Sequence, residues 1–460
     1  MRIQVKNLGV LKQAEFSLGD LTIICGGNNT GKTYATYALY GFLSFWREAF
    51  SIEIPEKVIA QLLTDGTVSI DTGQYIDDYA KILSDGCQEY VKQLAKVLAA
   101  SEEHFKDAQF DVTIESNDLR PMEKFNRRVQ AEKAELFSIT KTEGSQDLVI
   151  TLLVEEDKVK IPRDIIAKTI GDSLKDVIFG RLFPNPFIAC AERTGVAIFR
   201  KELNFPRNRI MEEISQSNKN INPIELLFKV YEDYALPVKT NVEFTRQLET
   251  ISKRTSFIAE KHSDVLTEFA DIIGGEYTVK NDELYYVPKG KRIRLSMDES
   301  SSAVRSLLDI GFYLRHVATL GDLLMVDEPE LSLHPENQRR VARLFARLIN
   351  LGIKVFITTH SDYIIKELNT LIMLNQDKPH LRRIAENEGY KKEELLSSDK
   401  VKVYIAEEAL VKLDGAQRKS RCQTLTPASI DPELGIEVRS FDKTIESMNR
   451  IQEEIIWGGE

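Results

Sequence analysis

Eight consecutive residues, Gly26-Gly27-Asn28-Asn29-Thr30-Gly31-Lys32-Thr33, constrain this chain more than any other stretch, because they fit the phosphate-loop pattern G-x-x-x-x-G-K-[ST]. Such a loop needs a strand before it and a helix after it. Leu21 to Cys25 is a short apolar run that predicts a buried strand, and Thr33 to Trp46 has the apolar density of a packed helix. The glycines let the backbone curl so that its N–H groups point inward, and the helix N-terminus adds the positive end of its dipole. Lys32 carries a full positive charge toward β- and γ-phosphates, and the Thr33 hydroxyl suits Mg²⁺. Gly26, Asn28, Asn29, Thr30, Gly31 and Lys32 are therefore expected around the phosphates of a bound nucleotide. A plain Gly/Asn turn between strand and helix is the alternative.

At 460 residues the chain has room for two or three structural units. Its longest apolar runs fall well short of the ~18 residues that suggest a membrane span. The opening MRIQVKNLGV lacks the apolar core and cleavage site of a signal peptide. Cys25, Cys87, Cys190 and Cys422 are widely spaced and form no CxxC pair, as expected for reduced thiols in a soluble cytoplasmic protein. The net charge of −10 argues against broad non-specific affinity for nucleic acid, while a local basic groove is left open.

Along the chain, Arg2–Val5 and Ala14–Leu18 alternate with period two and predict strands joined by turns. Residues 52–108 are expected to be mostly helical, as in Tyr79 to Ala99, where apolar residues recur every three or four. A β interlude follows at Phe110–Ile114, Leu136–Thr140 and Leu148–Val154, with Gly144-Ser145 as a hairpin turn. Residues 161–180 return to helix, Phe187–Ala191 predicts another buried strand, and 222–273 are helical with Pro237 as a break. Glu276–Val279 and Leu284–Val287 flank Asn281-Asp282 as a hairpin.

The second strong signal is Leu323-Leu324-Met325-Val326-Asp327-Glu328. An apolar strand there delivers two adjacent carboxylates at its C-terminal end, the edge where α/β sheets bind ligands. Asp327 offers the hard oxygen that Mg²⁺ needs, and Glu328 is placed to polarise a water attacking the γ-phosphate. Ile353–Thr359 predicts a further strand ending at His360, which is in position to meet the γ-phosphate.

Phosphate loop, LLMVDEPE, LSLHP and ITTHS together resemble the head of ABC-type ATPases, in the SMC, RecF and OLD-like branch, over about residues 1–50, 185–200 and 275–375. The resemblance implies an α/β P-loop ATPase head, its mixed or parallel sheet flanked by helices, with an inserted, mainly helical arm carrying a small β element. It implies ATP sandwiched with Mg²⁺ between two heads of a homo-oligomer. One head would offer Lys32, Thr33, Asp327, Glu328 and His360, the last two as catalytic groups and Thr33 and Asp327 as metal ligands. The other head would offer a signature helix, for which Asp298–Leu307 is the candidate, with Ser300, Ser301 and Ser302 toward the nucleotide. Ser302 stands where a glycine is usual, and plain helix capping is the alternative role. The segment CAERTG resembles the one carrying the Q-loop role, which would bring Glu192 or Arg193 near the Mg²⁺ and phosphates.

The resulting division is a head at 1–50, an arm at 51–185, a head strand at 186–200, a helical arm at 201–274, a head at 275–375 and a C-terminal α/β extension packed on the head at 376–460. OLD-like relatives append a nuclease needing an Asp-x-Asp pair, which 376–460 lacks, and Phe441–Trp457 is expected to be an amphipathic helix docked on the head. The chain also resembles stand-alone ATPases of bacterial anti-phage systems (Septu-like, retron-associated and PARIS-type), in which a separately encoded nuclease or toxin is the effector. A RecF-like ATPase clamping DNA and an ATP-gated scaffold with little turnover are the competing expectations; DNA contact is left open and no membrane contact is expected.

Overall fold

The computed structural model describes residues 1–115, 118–131, 134–153, 162–200, 234–281, 283–437 and 439–457. The expected helix over 222–233, the end of the strand at Val154 and Asp282 of the hairpin turn lie outside the described residues.

Strands β1 (Arg2–Leu8) and β2 (Leu11–Ser17) form a hairpin, and β3 (Leu21–Gly26) runs into helix α1 (Lys32–Ala49) through the phosphate loop. All six residues of β3 are buried, and α1 buries most of its length, which is why both read as apolar in sequence. The next segment is less uniformly helical than expected. Between α2 (Glu56–Asp65) and α3 (Tyr79–Val91) lies a strand, β4 (Thr67–Asp71), whose sequence TVSID alternates over only five residues. Strand β5 (Gln109–Thr113) then pairs antiparallel with β1, so this part of the arm completes the N-terminal three-stranded sheet. Strands β6 (Phe125–Ala131), β7 (Ala134–Lys141) and β8 (Asp147–Leu152) join β4 in a four-stranded antiparallel sheet of order β4-β8-β7-β6. It packs on α2 and on α4 (Arg163–Phe179) around a separate core that includes Leu62, Phe137, Ile150 and Ile170.

A ring cluster fastens this arm to the head. Phe42 and Trp46 of α1 lie 5.2 and 5.1 Å from the Phe183 ring, and Phe50 lies 5.1 Å from Phe179 at the end of α4. The Phe42–Phe183 and Phe50–Phe179 pairs are edge-to-face, an arrangement that contributes about 0.5–1.5 kcal/mol each beyond the buried area.

After β9 (Pro186–Ala189) the chain forms a short helix, α5 (Arg193–Ile198), and, beyond the undescribed stretch, α6 (Leu236–Arg246). The expected hairpin is present as β10 (Gly275–Lys280) and β11 (Glu283–Pro288), extended by the two-residue β12 (Leu295–Ser296) into an antiparallel sheet. Two short helices follow, α7 (Ser302–Ser306) and α8 (Leu308–Phe312).

The head is built on a six-stranded sheet in which β3 and β9 are joined by β13 (Leu323–Asp327), β14 (Lys354–Thr359), β15 (Val401–Val411) and β16 (Ser420–Pro427). Its order is β16-β15-β3-β14-β13-β9, with every neighbour parallel except the terminal β15–β16 pair. Alternate residues feed opposite cores: Ile23, Val326 and Ile357 face one, while Ile24, Met325 and Phe356 face the other. Both faces are covered, so these strands read as continuous apolar runs. The outer edge of β9 meets the buried Asn241 of α6, which accepts from the Cys190 N–H at 2.8 Å and donates to the Ile188 carbonyl. Pro237 sits in the first turn of this helix, where its missing N–H costs nothing.

Residues 376–460 are more than an extension laid on the head. β15 pairs in parallel with the phosphate-loop strand from Val401↔Leu21 to Ala406↔Gly26, so without it β3 would lose one of its two neighbours. That pairing is non-local and leaves no mark on local periodicity. The terminal helix α9 (Arg439–Trp457) also departs from expectation: Met448, Ile451, Ile455 and Ile456 are exposed at 56, 46, 77 and 65%. Among the described residues no element covers that stripe, so docking on the head is not what the structure shows.

Two truncations separate these roles. A chain ending at Lys400 lacks β15 and should lose its cooperative thermal transition and ATP binding together. A chain ending at Glu437 lacks α9 but keeps the whole head sheet, and should retain both. Circular dichroism melting and nucleotide titration read the outcome.

Candidate functional site

Because β3, β14, β13 and β9 are parallel, their C-terminal ends share one edge. Register pairs Thr359 with Cys25 and Asp327 with Thr358, which brings the ends of three motifs side by side. The loop leaves β3 at Gly26 with φ +142°, where a Cβ would collide with the Ala406 carbonyl oxygen of β15. Gly31 has φ +98°, and a Cβ would meet Leu11 at 2.7 Å, so the β1–β2 turn sits directly against the loop. Asn29 is also left-handed, and the Thr30 hydroxyl closes the loop by donating to the Gly27 carbonyl at 2.9 Å. Asn28 and Asn29 are exposed.

Helix α1 starts at Lys32 with no side-chain cap and no acidic residue in its first turn. Its N–H groups and dipole are thus left open toward the loop. The Lys32 ammonium is buried and donates to the Gly26 and Gly27 carbonyls at 3.2 and 2.7 Å. Burial lowers its pKa, while Glu328 and Asp327 act in the opposite direction. Thr33 is exposed beside it.

On β13, Asp327 is 4% exposed and accepts a hydrogen bond from the Thr358 hydroxyl. Burial pushes its carboxyl up to about 6, against that hydrogen bond. Glu328 follows with φ +51°, a left-handed conformation that is uncommon for a residue with a Cβ. Its N–H donates to the Thr358 carbonyl at 3.1 Å, and its carboxylate Oε1 lies 3.4 Å from His360 Nε2. Glu330 is a site residue that the motif reading does not single out. It accepts from the His360 N–H at 2.6 Å and the Thr359 hydroxyl at 2.9 Å, which fixes the backbone that carries His360 toward Glu328. Glu192, just past β9, accepts from the Tyr37 hydroxyl of α1 at 3.3 Å and is close enough to Asp327 to raise its pKa.

Arg193 is not where a phosphate contact requires it. It is 1% exposed and is the first residue of α5. Its Nε donates to the Ser306 carbonyl at 2.7 Å, Nη1 to the Cys190 and Asp327 carbonyls at 2.8 and 2.6 Å, and Nη2 to the Glu328 carbonyl at 2.7 Å. Four of the N–H groups of this guanidinium are held by carbonyls, and at 1% exposure it is closed off from a nucleotide. Contrary to the expectation from CAERTG, Arg193 braces the site and does not line it.

The three signature serines differ from one another. Ser301 is the N-cap of α7, accepting from the Val304 N–H at 3.3 Å, and Ser302 is exposed in its first turn. Ser300 is buried, with its hydroxyl donating to the Ser296 carbonyl at 2.7 Å, so it shapes the turn. Asp309 of α8 is buried with neither carboxylate oxygen hydrogen-bonded among the described residues. Burial pushes its carboxyl up to about 7, and Arg193 acts to lower it.

A parallel sheet with a glycine-rich loop running into a helix, and acidic residues at the end of a neighbouring strand, defines a P-loop nucleotide-binding protein of the α/β class. The chain belongs to the AAA ATPase domain family, whose model matches residues 1–365. No curated protein matches it. Among solved structures, the SMC head domain from Thermotoga maritima is similar at 10% identity and TM-score 0.29, covering 93% of this chain and 98% of that one. A Pyrococcus furiosus Smc head with an extended coiled coil, bound to the C-terminal domain of ScpA, is similar at 12% identity and TM-score 0.30, with 98% of each chain covered. An SMC head bound to the winged-helix domain of ScpA gives 11% and 0.29, with 92 and 97% covered. Likeness at this level says nothing of function. Among the described residues no helix is long and apolar enough to cross a membrane.

The raised Asp309 carboxyl has a signed consequence for stability. A carboxyl whose folded pKa is about 7 against 3.8 for the free group favours folding below about pH 4, and that contribution is lost as pH rises through about 7. The difference in melting temperature, Asp309→Asn minus the unsubstituted chain, should therefore grow more positive from pH 5 to pH 8. In a chain of this length the change is roughly 1 °C per kcal/mol recovered. Parallel melting curves across that range check it; a constant difference would contradict it.

Proposed function

We propose that this chain is an ABC-type ATPase that binds ATP with Mg²⁺ at the shared strand edge and hydrolyses it between two heads of a homodimer. The observation that carries the proposal is the convergence of Lys32, Asp327 and the Glu328–His360 pair, 3.4 Å apart, at the end of one parallel sheet. The donor set fits the groups it would hold. Lys32 satisfies its ammonium on loop carbonyls and can exchange them for phosphate oxygens, which are acceptors too. Thr33 supplies a hydroxyl and Asp327 a buried carboxylate, the hard oxygens that would hold Mg²⁺. That ion, when bound, offsets charge on the β- and γ-phosphates.

Glu328 then acts as the group that orients and polarises the attacking water, accepting its proton. His360, held through its own N–H by Glu330, faces the Glu328 carboxylate and is placed to sense the γ-phosphate. Gly26, Asn28, Asn29, Thr30 and Gly31 shape the loop. Ser301 and Ser302 of the second head would close on the nucleotide, as the resemblance to ABC-type heads implies, with Ser300 supporting their turn. The described part of 51–185 would form the arm of a cytoplasmic protein, whereas Leu248, Ile258, Val265 and Phe269, from the stretch expected to be a second arm, share a core with Leu21 and Val326 of the head sheet. We further assign the chain as sensor or regulator of a separately encoded nuclease or toxin in anti-phage defence. That assignment is supported by the resemblance of its motifs to stand-alone ATPases of such systems.

Lys32→Ala should weaken ATP binding by about 10- to 150-fold, the value of a charge-assisted hydrogen bond lost. Glu328→Gln should keep binding and slow phosphate release by about 10²- to 10⁴-fold. Unchanged affinity in Lys32→Ala would overturn the site. Negligible release by the unsubstituted chain, with ATP bound, would favour a nucleotide-gated scaffold.

Head pairing has its own test. In the Glu328→Gln background ATP should drive dimers in sedimentation, and adding Ser301→Arg should abolish them while leaving ATP bound to single heads. ATP-dependent association that survives the arginine would reduce Ser301 to a helix cap.

A further inference from the structure

Glu328 sits in a left-handed conformation at φ +51°, which is strained for a residue with a Cβ and persists only where its surroundings impose it. Here they do. The Glu328 N–H is held by the Thr358 carbonyl, and its own carbonyl accepts from Arg193 Nη2 at 2.7 Å and from the Leu331 N–H at 3.1 Å. The same guanidinium holds the Asp327 carbonyl at 2.6 Å and, through Nε, the Ser306 carbonyl at 2.7 Å. Ser306 ends α7, the helix that Ser301 caps. One rigid, planar, buried cation thus joins the turn bearing the two site carboxylates to the last residue of the signature helix. A fork of fixed geometry transmits displacement in a way a flexible ammonium cannot.

We propose that Arg193 is a positioning residue for hydrolysis: it sets the backbone of Glu328 and couples it to α7, so that engagement of this helix is felt at the chain's own Glu328. In a two-headed arrangement those two elements serve different nucleotides, and Arg193 would link the two sites. Asp309 lies on the next helical segment, near enough for its charge to act on the guanidinium, and has no hydrogen-bond partner among the described residues.

The kinetic arm of the test rests on the ATPase reading above. Phosphate release and ATP affinity are measured for the unsubstituted chain, Arg193→Lys and Arg193→Met, with melting curves to verify folding. Arg193→Lys should remain folded, bind ATP within about threefold of the unsubstituted chain and lose about tenfold in kcat, and Arg193→Met should lose more. A folded Arg193→Lys with unchanged kcat overturns the proposal. So does one whose ATP affinity falls in proportion to its rate, because that behaviour belongs to a phosphate contact. If the variants do not fold, amide exchange on the unsubstituted chain decides. Residues 304–307 and 328–331 should gain protection together on adding ATP, and together lose that gain in Ser301→Arg; independent responses overturn the link. If the unsubstituted chain releases no phosphate, the ATPase reading falls, and the same exchange comparison still decides whether Arg193 couples the two segments.

Discussion

Like charges crowded at one edge of a sheet are the constraint on which this structure turns. Glu192, Asp327, Glu328 and Glu330 all lie near the carboxyl ends of β9, β13 and β14, and the buried cations set among them, within the described residues, are Lys32 and Arg193. Each cation is satisfied by main-chain carbonyls, Lys32 from the loop side and Arg193 from behind the strand ends. On the proposed reading, a divalent cation bound with the polyphosphate would offset this crowding of negative charge. Burial raises the Asp327 carboxyl to about 6, and the neighbouring Glu328 and Glu192 add to that in the same direction.

The surrounding fold holds that edge together. Parallel pairing fixes the longitudinal register of Gly26, Asp327 and Thr359, and the close approach of β15 to Gly26 leaves no room for a side chain at the loop's entry. The β1–β2 turn abuts Gly31 from the other side. Hydrogen bonds from Thr358 and Thr359 then orient one carboxylate each, Asp327 and Glu330, and Glu330 in turn steadies the backbone of His360. Few of these contacts involve the reacting groups themselves.

That division explains what can be read from sequence. The loop, the acidic strand end and the histidine strand are legible because each is a local pattern with a chemical purpose. Strand β4 is not, because five alternating residues between two helices carry too little periodicity, and β6 is not, because FNRRVQA alternates only weakly. The place of β15 beside β3 cannot be read at all, since pairing between residues as far apart as Leu21 and Val401 has no local signature. Arg193 stands out through the CAERTG segment, yet the resemblance puts it on the wrong side of the site. A residue's type is local, whereas burial against four carbonyls is a property of the fold. Glu330 lies in plain view within DEPE; the signal that finds it is the need for an acceptor at the turn that carries His360.

The measurement that bears most directly on a composite ATPase site is phosphate release per chain as a function of chain concentration, at saturating ATP with Mg²⁺. If hydrolysis requires two heads, specific activity should rise with concentration through the range where dimers form and then level off, and removing Mg²⁺ should abolish it. A specific activity that is constant from the monomeric range upward, or that persists without a divalent cation, would contradict the account.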